Sequence, residues 1–294
     1  MRTHAHRVRS FFAGTLRTGG GWSPVGFRGK VAIWFSASLL GFSALAAAPA
    51  WEQTVGPLTR GDFPNPRPLI ATYHFGWNDL VAAQAEIQFG RSDQRLQLIG
   101  SGGTIGLVRA LWKFDTNYRA QADAKTLRPV SMHQVEEMRR KTVVTDLSFN
   151  KDGVERERSD NQTKKKSKPK IFDFPGGVFD MHSALLFLRS QPLREDDVYR
   201  VVVYPSTSPF LATLKVVEHA PITVAAGTYP AIKLDVQLNK VTKKRELGPH
   251  KKFRHASVWV SDDSDRLLLR VEASIFVGQV FAELQSVRFP EAKR

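Results

Sequence analysis

The sequence predicts a mainly β protein, with a large curved antiparallel sheet (half-barrel or barrel-like) packed around one or two short helices. Three observations predict it. Apolar and polar residues alternate along many short runs, most cleanly in 231–238, where Ile232, Leu234, Val236 and Leu238 oppose Lys233, Asp235 and Gln237. Turn sequences such as Asn150-Lys151-Asp152-Gly153 separate those runs. The most nearly apolar segment, 175–192, has a helical period instead, with β-like sequence on both sides.

Residues 1–50 are set aside from the fold. The first 30 carry Arg2, Arg7, Arg9, Arg17, Arg28 and Lys30 and no acidic residue, and the run 31–48 is apolar and ends in small residues. Ala46-Ala47-Ala48 and Ala48-Pro49-Ala50 both fit the pattern at which secretory signals are cut. The expectation is a signal peptide with a long basic n-region, hence export to the periplasm of a Gram-negative-type bacterium. An uncleaved anchor is the alternative, although the run is at the short end for a bilayer span. The mature protein is expected to have no transmembrane span.

The 294-residue chain is 42% hydrophobic, ample for a real core. It has no cysteine, so neither a disulfide nor a lipidated cysteine is available and the core alone holds the domain. The formal net charge is +15, and a surplus of about +9 remains once the leader's cations are removed. For an exported chain that surplus suggests lipid, an anionic envelope surface or an envelope polymer as neighbour, and not nucleic acid; solubility alone also accounts for it.

Taken in order, 51–68 reads as an irregular arm, rich in Pro, Gly and polar residues. Residues 69–77 open the sheet, with Tyr73, Phe75 and Trp77 in alternation, and strands are expected at 85–89 and 95–99. Gly100-Ser101-Gly102-Gly103 reads as a tight loop into a second short helix, 104–114, because Ile105, Val108, Leu111 and Trp112 recur at helical spacing. Strands at 118–122, 130–138, 142–149 and 154–159 follow. The stretch 160–170 carries five lysines and no large apolar side chain, which predicts an exposed loop.

In the central helix Asp180 is the expected N-cap, with Met181, Ala184, Leu185 and Leu188 as the buried face. Beyond Pro192, strands are expected at 198–204, 210–218, 222–225, 231–238, 256–260, 267–277 and 279–289, with a charged linker or hairpin over 241–252. Residues 69–289 are thus expected to form one domain, with 290–294 as a tail.

DMHSALLFLRSQPL (180–193), VAAGTYPAIKLDV (224–236) and VWVSDDSDRLLLRVEASIFVGQVFAELQSV (258–287) resemble the DUF3108 family of exported bacterial proteins, as do TYHFGWNDLVAAQAEI (72–87) and DAKTLRPVSMHQVEE (123–137). The resemblance implies an envelope location and a curved antiparallel sheet around the short helix, and no particular reaction. It marks Trp77, Asp180, Arg189, Gly227, Asp262 and Asp265 as structural positions. The long leader and the polybasic 160–170 loop depart from the family.

The six histidines of the mature chain are scattered, without HExxH spacing or a close carboxylate pair. Asp180, His182 and Ser183 hold the letters of a triad, but neighbours on one helix point apart. Asp262, Asp263 and Asp265 read as an Asp-rich turn. No catalytic residue, metal set or cofactor is assigned.

The expected function is non-catalytic binding of an apolar or amphipathic ligand or envelope component. Phe75, Trp77, Phe89, Trp259, Phe276 and Phe281 are the candidate ligand-binding rings, unless the 104–114 helix covers them. Lys164, Lys165, Lys166, Lys168 and Lys170 are the candidate anionic-surface contact. An enzyme acting on envelope glycan or lipid, and a structural or assembly partner, are the alternatives.

Overall fold

The computed structural model describes residues 49–56, 58–162, 168–249, 255–275 and 278–290. The leader up to residue 48, Lys164–Lys166 and Phe276 lie outside them. After one helical turn, α1 (Ala50–Gln53), and an irregular arm, the chain forms β1 (Leu69–Trp77), β2 (Leu80–Arg91), β3 (Arg95–Thr104), α2 (Gly106–Leu111), β4 (Phe114–Asp123), β5 (Pro129–Met138), β6 (Lys141–Phe149), β7 (Gly153–Asp160) and β8 (Lys170–Asp173). Helix α3 (Met181–Ser190) then leads to β9 (Val198–Val203), β10 (Phe210–Val224), β11 (Gly227–Val241), β12 (Leu247–Pro249), β13 (His255–Ser261), β14 (Leu268–Ile275) and β15 (Gly278–Arg288). Among the described residues no helix is long and apolar enough to cross a membrane.

The strands form one antiparallel sheet of order β8-β7-β6-β5-β4-β3-β2-β1-β15-β14-β13-β11-β10-β9, with β12 also on β11. The mainly β class is as the sequence predicts, and the sheet is open and curved, not a closed barrel. No hydrogen-bonded ladder joins β8 to β9.

Its two ends overlap instead. On β9 to β11, Val202, Tyr204, Leu211 and Val241 pack against Ala120, Met132, Leu147 and Val154 of β4 to β7. The opposite face of β9, Val201 and Val203, is equally buried, against Phe187 of α3. Two-sided burial of a strand demands a continuous apolar run, which Val201-Val202-Val203-Tyr204 supplies. The sheet is therefore a scroll, with β9 to β11 as its inner turn. Phe179 closes the seam, its N–H donating to Val202 O at 2.9 Å and its carbonyl accepting from Tyr204 N at 2.7 Å.

Several local expectations change. Gly100–Gly103 lies inside β3, not in a loop; a Cβ on Gly102 would come within 2.7 Å of the Ala85 Cβ on the neighbouring strand, so the glycine answers close strand approach and not a turn. Helix α2 is only six residues long and leaves Leu107, Leu111 and its C-cap Trp112 exposed, so the side chains expected to form its covering face are turned largely to solvent. The two strands expected at 210–218 and 222–225 are one 15-residue strand, irregular between Val216 and Glu218.

Asp180 caps α3 as expected. Its Oδ1 accepts from Ser183 N at 2.7 Å while Ser183 Oγ accepts from Asp180 N at 3.1 Å, a reciprocal capping box. The buried face is different from the expected one. Met181 is exposed and Ala184 and Leu185 are half-buried, whereas His182, Ser183 and everything from Leu186 to Ser190 are buried. The reason is that α3 lies within the scroll and meets sheet on several sides. Leu186 packs with Phe89, Leu96 and Ala122, and Leu188 with Ile232, Leu234 and Val260. Leu186→Ala is accordingly expected to cost about 2–5 kcal/mol. Leu185→Ala should cost distinctly less, which paired urea midpoints would check.

Candidate functional site

Registers across the sheet place side chains in rows. One row on the face that carries α3 runs Val216, Leu234, Val258, Val271, Ala282, Phe75, Ala83, Thr104, from β10 to β3. Val216 and Leu234 are fully buried beneath the helix region, but Phe75 is 38% exposed. The adjacent row runs Leu214, Val236, Ala256, Ala273, Val280, Trp77, and Trp77 is 43% exposed. Alanines at 83, 256, 273 and 282 keep the floor low around these two rings. The concave face beyond α3 thus carries a strip of alanines and valines beside the partly exposed rings of Phe75 and Trp77, the candidate groove.

The same face turns polar over β4 to β7. Tyr118, Gln134, Thr145 and Arg158 form one row, and Thr116, Glu136, Val143 and Asp160 the next. Arg158 lies 3.9 Å from Glu136, and Lys141 pairs with Asp160 at 2.6 Å. Thr116 Oγ1 and Thr145 Oγ1 are buried without a protein partner. An apolar floor beside a polar wall suits an amphipathic molecule better than a purely apolar one.

The predicted rings do not converge. Phe75 and Trp77 share the groove, while Phe89 is buried near α3, with its ring centroid 5.9 Å from that of His182. Trp259 and Phe281 lie on the convex face. Trp259 stands in the row Lys233, Trp259, Arg270, Glu283, with Lys233 Nζ 5.6 Å over its ring, and Phe281 sits opposite Glu272 with Arg270 5.6 Å over it. Lys168 and Lys170 are exposed, Lys170 at the start of the short edge strand β8. Sequence reasoning missed the polar wall; its signal was the Gln134, Glu136 and Arg158 parity within otherwise ordinary strands.

The triad letters serve structure. The Asp180 carboxylate accepts from Ser183 and from Tyr118 Oη at 3.3 Å, and burial pushes its pKa up. Asp263 Oδ1 accepts from Asp265 N at 2.9 Å and Arg266 N at 3.0 Å, a turn-building role. Gly227 takes φ +134° in the β10–β11 turn, a region that favours glycine. Arg189 Nη1 donates to Pro64 O at 3.0 Å and its Nη2 to Asp265 O at 2.7 Å, tying the helix end to the arm and to the β13–β14 turn. Among the described residues no cluster of three His, Asp or Glu is set to hold a metal.

Burial also pushes His182 down to about 4. An exposed histidine in the unfolded chain titrates near its ordinary 6.5. Between these values the unfolded chain takes up the proton more readily, so the stability due to neutral His182 is complete above the upper value and lost as pH falls through the lower one. The loss is expected to be about 3 kcal/mol. Asp180 titrates with the opposite sign, so the comparison needs a variant. His182→Gln should flatten the decline in urea midpoint from neutral pH into the acid range; an unchanged slope would reject the assignment.

No curated protein matches this chain in sequence. Its fold is similar to the crystal structure of a β-barrel-like protein of the domain of unknown function DUF1849 from Brucella abortus, at 9% identity over 78% of this chain and 100% of that one, with a TM-score of 0.51. Two further crystal structures each match 78% of this chain and 99% of their own. They are a predicted lipoprotein from Parabacteroides distasonis (8% identity, TM-score 0.31) and a predicted exported protein with a YmcC-like fold from Bacteroides fragilis (12%, 0.30). At 9% identity the likeness to the Brucella protein is one of fold alone. The model of the protein family of unknown function DUF3108 matches residues 72–285, spanning the groove strands, the polar wall and the capped helix, and the chain belongs to that family.

Proposed function

We propose that this protein works in the bacterial periplasm as a non-catalytic binder of an amphipathic envelope component. The groove carries the reading: small side chains beneath Phe75 and Trp77 leave room for an apolar chain, and the Gln134, Glu136 and Arg158 wall offers hydrogen bonds to a polar head. The basic leader and its small-residue cut site support the location.

Native mass spectrometry of protein recovered from its own envelope should show a co-purifying small molecule. Delipidated protein should then bind an environment-sensitive apolar probe saturably, with displacement by envelope lipid extract. Ala282→Trp fills the floor between Phe75 and Val271 and should weaken probe binding roughly tenfold with little change in melting temperature. Absence of saturable binding, together with turnover of an envelope glycan or lipid by the same preparation, would replace the binding reading with an enzymatic one.

A further inference from the structure

The end of the scroll away from the β2–β3 and β4–β5 turns has an unusual surface. Helix α2 there exposes Leu107 (82%), Leu111 (81%) and Trp112 (57%), the first two on one helical face at a spacing of four. Ile105 N donates to Ala82 O at 3.0 Å, which holds α2 beside the start of β2, where Leu80 is half exposed at 50%. Four large apolar side chains therefore crowd one tip. Isolated exposed hydrophobics need no explanation, but a contiguous cluster marks a docking surface.

The charges beside the tip identify what docks. Arg139 Nη2 donates to Ala110 O at 2.9 Å, so the β5–β6 turn is fastened to α2. Lys113, Arg139, Arg140 and Lys141 line an open hollow of about 220 Å³ next to the helix, with Glu137 as the one acidic group in its lining. Lys141 is engaged by Asp160, and Arg109 of α2 by Asp115 at 2.6 Å, whereas Lys113 and Arg140 make no ion pair with the described residues. An apolar tip carrying a tryptophan, beside a hollow where cations outnumber acidic groups, matches the boundary of an anionic bilayer: acyl chains for the leucines, the headgroup layer for the indole, phosphates for the cations. A second copy of this chain, itself strongly basic, would bring like charge to that hollow.

We infer that this protein docks through α2 and the adjoining basic β5–β6 turn onto the surface of an anionic lipid bilayer. The docking site is separate from the groove, and it holds whether or not the groove binds a ligand. Trp77 and Phe75 at the same end would nevertheless bring the groove mouth close to the lipid.

The test uses protein as recovered from cells, co-sedimented with phosphatidylcholine vesicles with or without about one third phosphatidylglycerol. Wild type should bind the anionic vesicles, more weakly as salt is raised, and bind neutral ones poorly. Leu107→Asp with Leu111→Asp should lower anionic-vesicle binding roughly tenfold or more, and Lys113→Glu with Arg140→Glu should abolish the preference for anionic lipid. Both pairs lie on exposed positions, so melting temperature and apolar-probe binding should be unchanged, which separates failure of docking from failure of the groove reading. Quenching of tryptophan fluorescence by brominated acyl chains should fall in Trp112→Phe. Equal binding of wild type and the double leucine variant, or equal affinity for neutral and anionic vesicles, would overturn the inference. So would a concentration-dependent dimer that the leucine variant abolishes, without vesicle binding.

Discussion

Replacing Phe179 with alanine is expected to cost about 3–5 kcal/mol, the range for a fully buried phenylalanine. The residue is wholly buried at the scroll's seam. Its ring lies 5.5 Å from Phe187 of α3 at an interplanar angle of 52°, and the Arg128 guanidinium lies over it at 4.9 Å. Its backbone supplies the bridge to β9, which alanine keeps. The loss should therefore be one of packing between α3 and the inner turn of the sheet. Leu107→Ala, at an exposed position on α2, should by contrast stay within roughly 0.5 kcal/mol of wild type. Urea denaturation of both variants decides the matter. A Phe179 loss below about 1 kcal/mol would show that the seam can repack and that the core lies elsewhere.

Arg266→Ala is expected to be nearly as damaging, at about 3 kcal/mol or more. The last carbonyls of a helix have no partner within it. In α3 this one guanidinium serves the end of the helix and the residues after it: Nη1 donates to Arg189 O at 2.7 Å and also to Gln191 O, and Nη2 donates to Pro192 O at 3.2 Å. Its flat side lies 3.6 Å from the Phe63 ring centroid, so the arm is packed against the cap as well. Lysine retains the charge but cannot fork between carbonyls or stack on a ring. Arg266→Lys should thus recover little of the lost stability; full recovery would mean that charge alone matters at this site.

Much of the fold was legible because local chemistry dictates it. Alternation in β11 and the Asn150–Gly153 turn gave their elements directly, since period-two burial and turn residues act within a few positions. Asp180 was legible as a cap for the same reason. The buried face of α3 was not, because hydrophobic spacing finds the side that avoids water only when the other side meets water. Here His182, Ser183 and Arg189 are buried too, each for the partner or space it has in the scroll. The spacing of Ile105, Val108, Leu111 and Trp112 correctly marked a helix, but spacing carries no information about what, if anything, covers it. The rings fall on different faces for a geometric reason. Ladder register decides which rings stand together: Phe75 lies beside Ala282, which puts Phe281 on the other face, and the row continues through Val271 to Val258, which does the same to Trp259, so shared aromatic character did not translate into a shared face.

The overlap of the sheet's two ends has a mechanical consequence. In a closed barrel the bore is fixed by strand number and stagger, and widening it means breaking a ladder of backbone hydrogen bonds. Here the circumference is completed mainly by Val202, Tyr204, Leu211 and Val241 lying on Met132, Leu147 and Val154, with the Phe179 bridge to β9 and the Arg156 Nη1–Thr207 O hydrogen bond beside them. Sliding one layer over the other would change the diameter at the cost of those few seam bonds, while every ladder from β8 to β9 stayed intact. The molecule is in this respect a coiled spring and not a hoop, and the width of its groove is set by side-chain fit and a few hydrogen bonds along one seam.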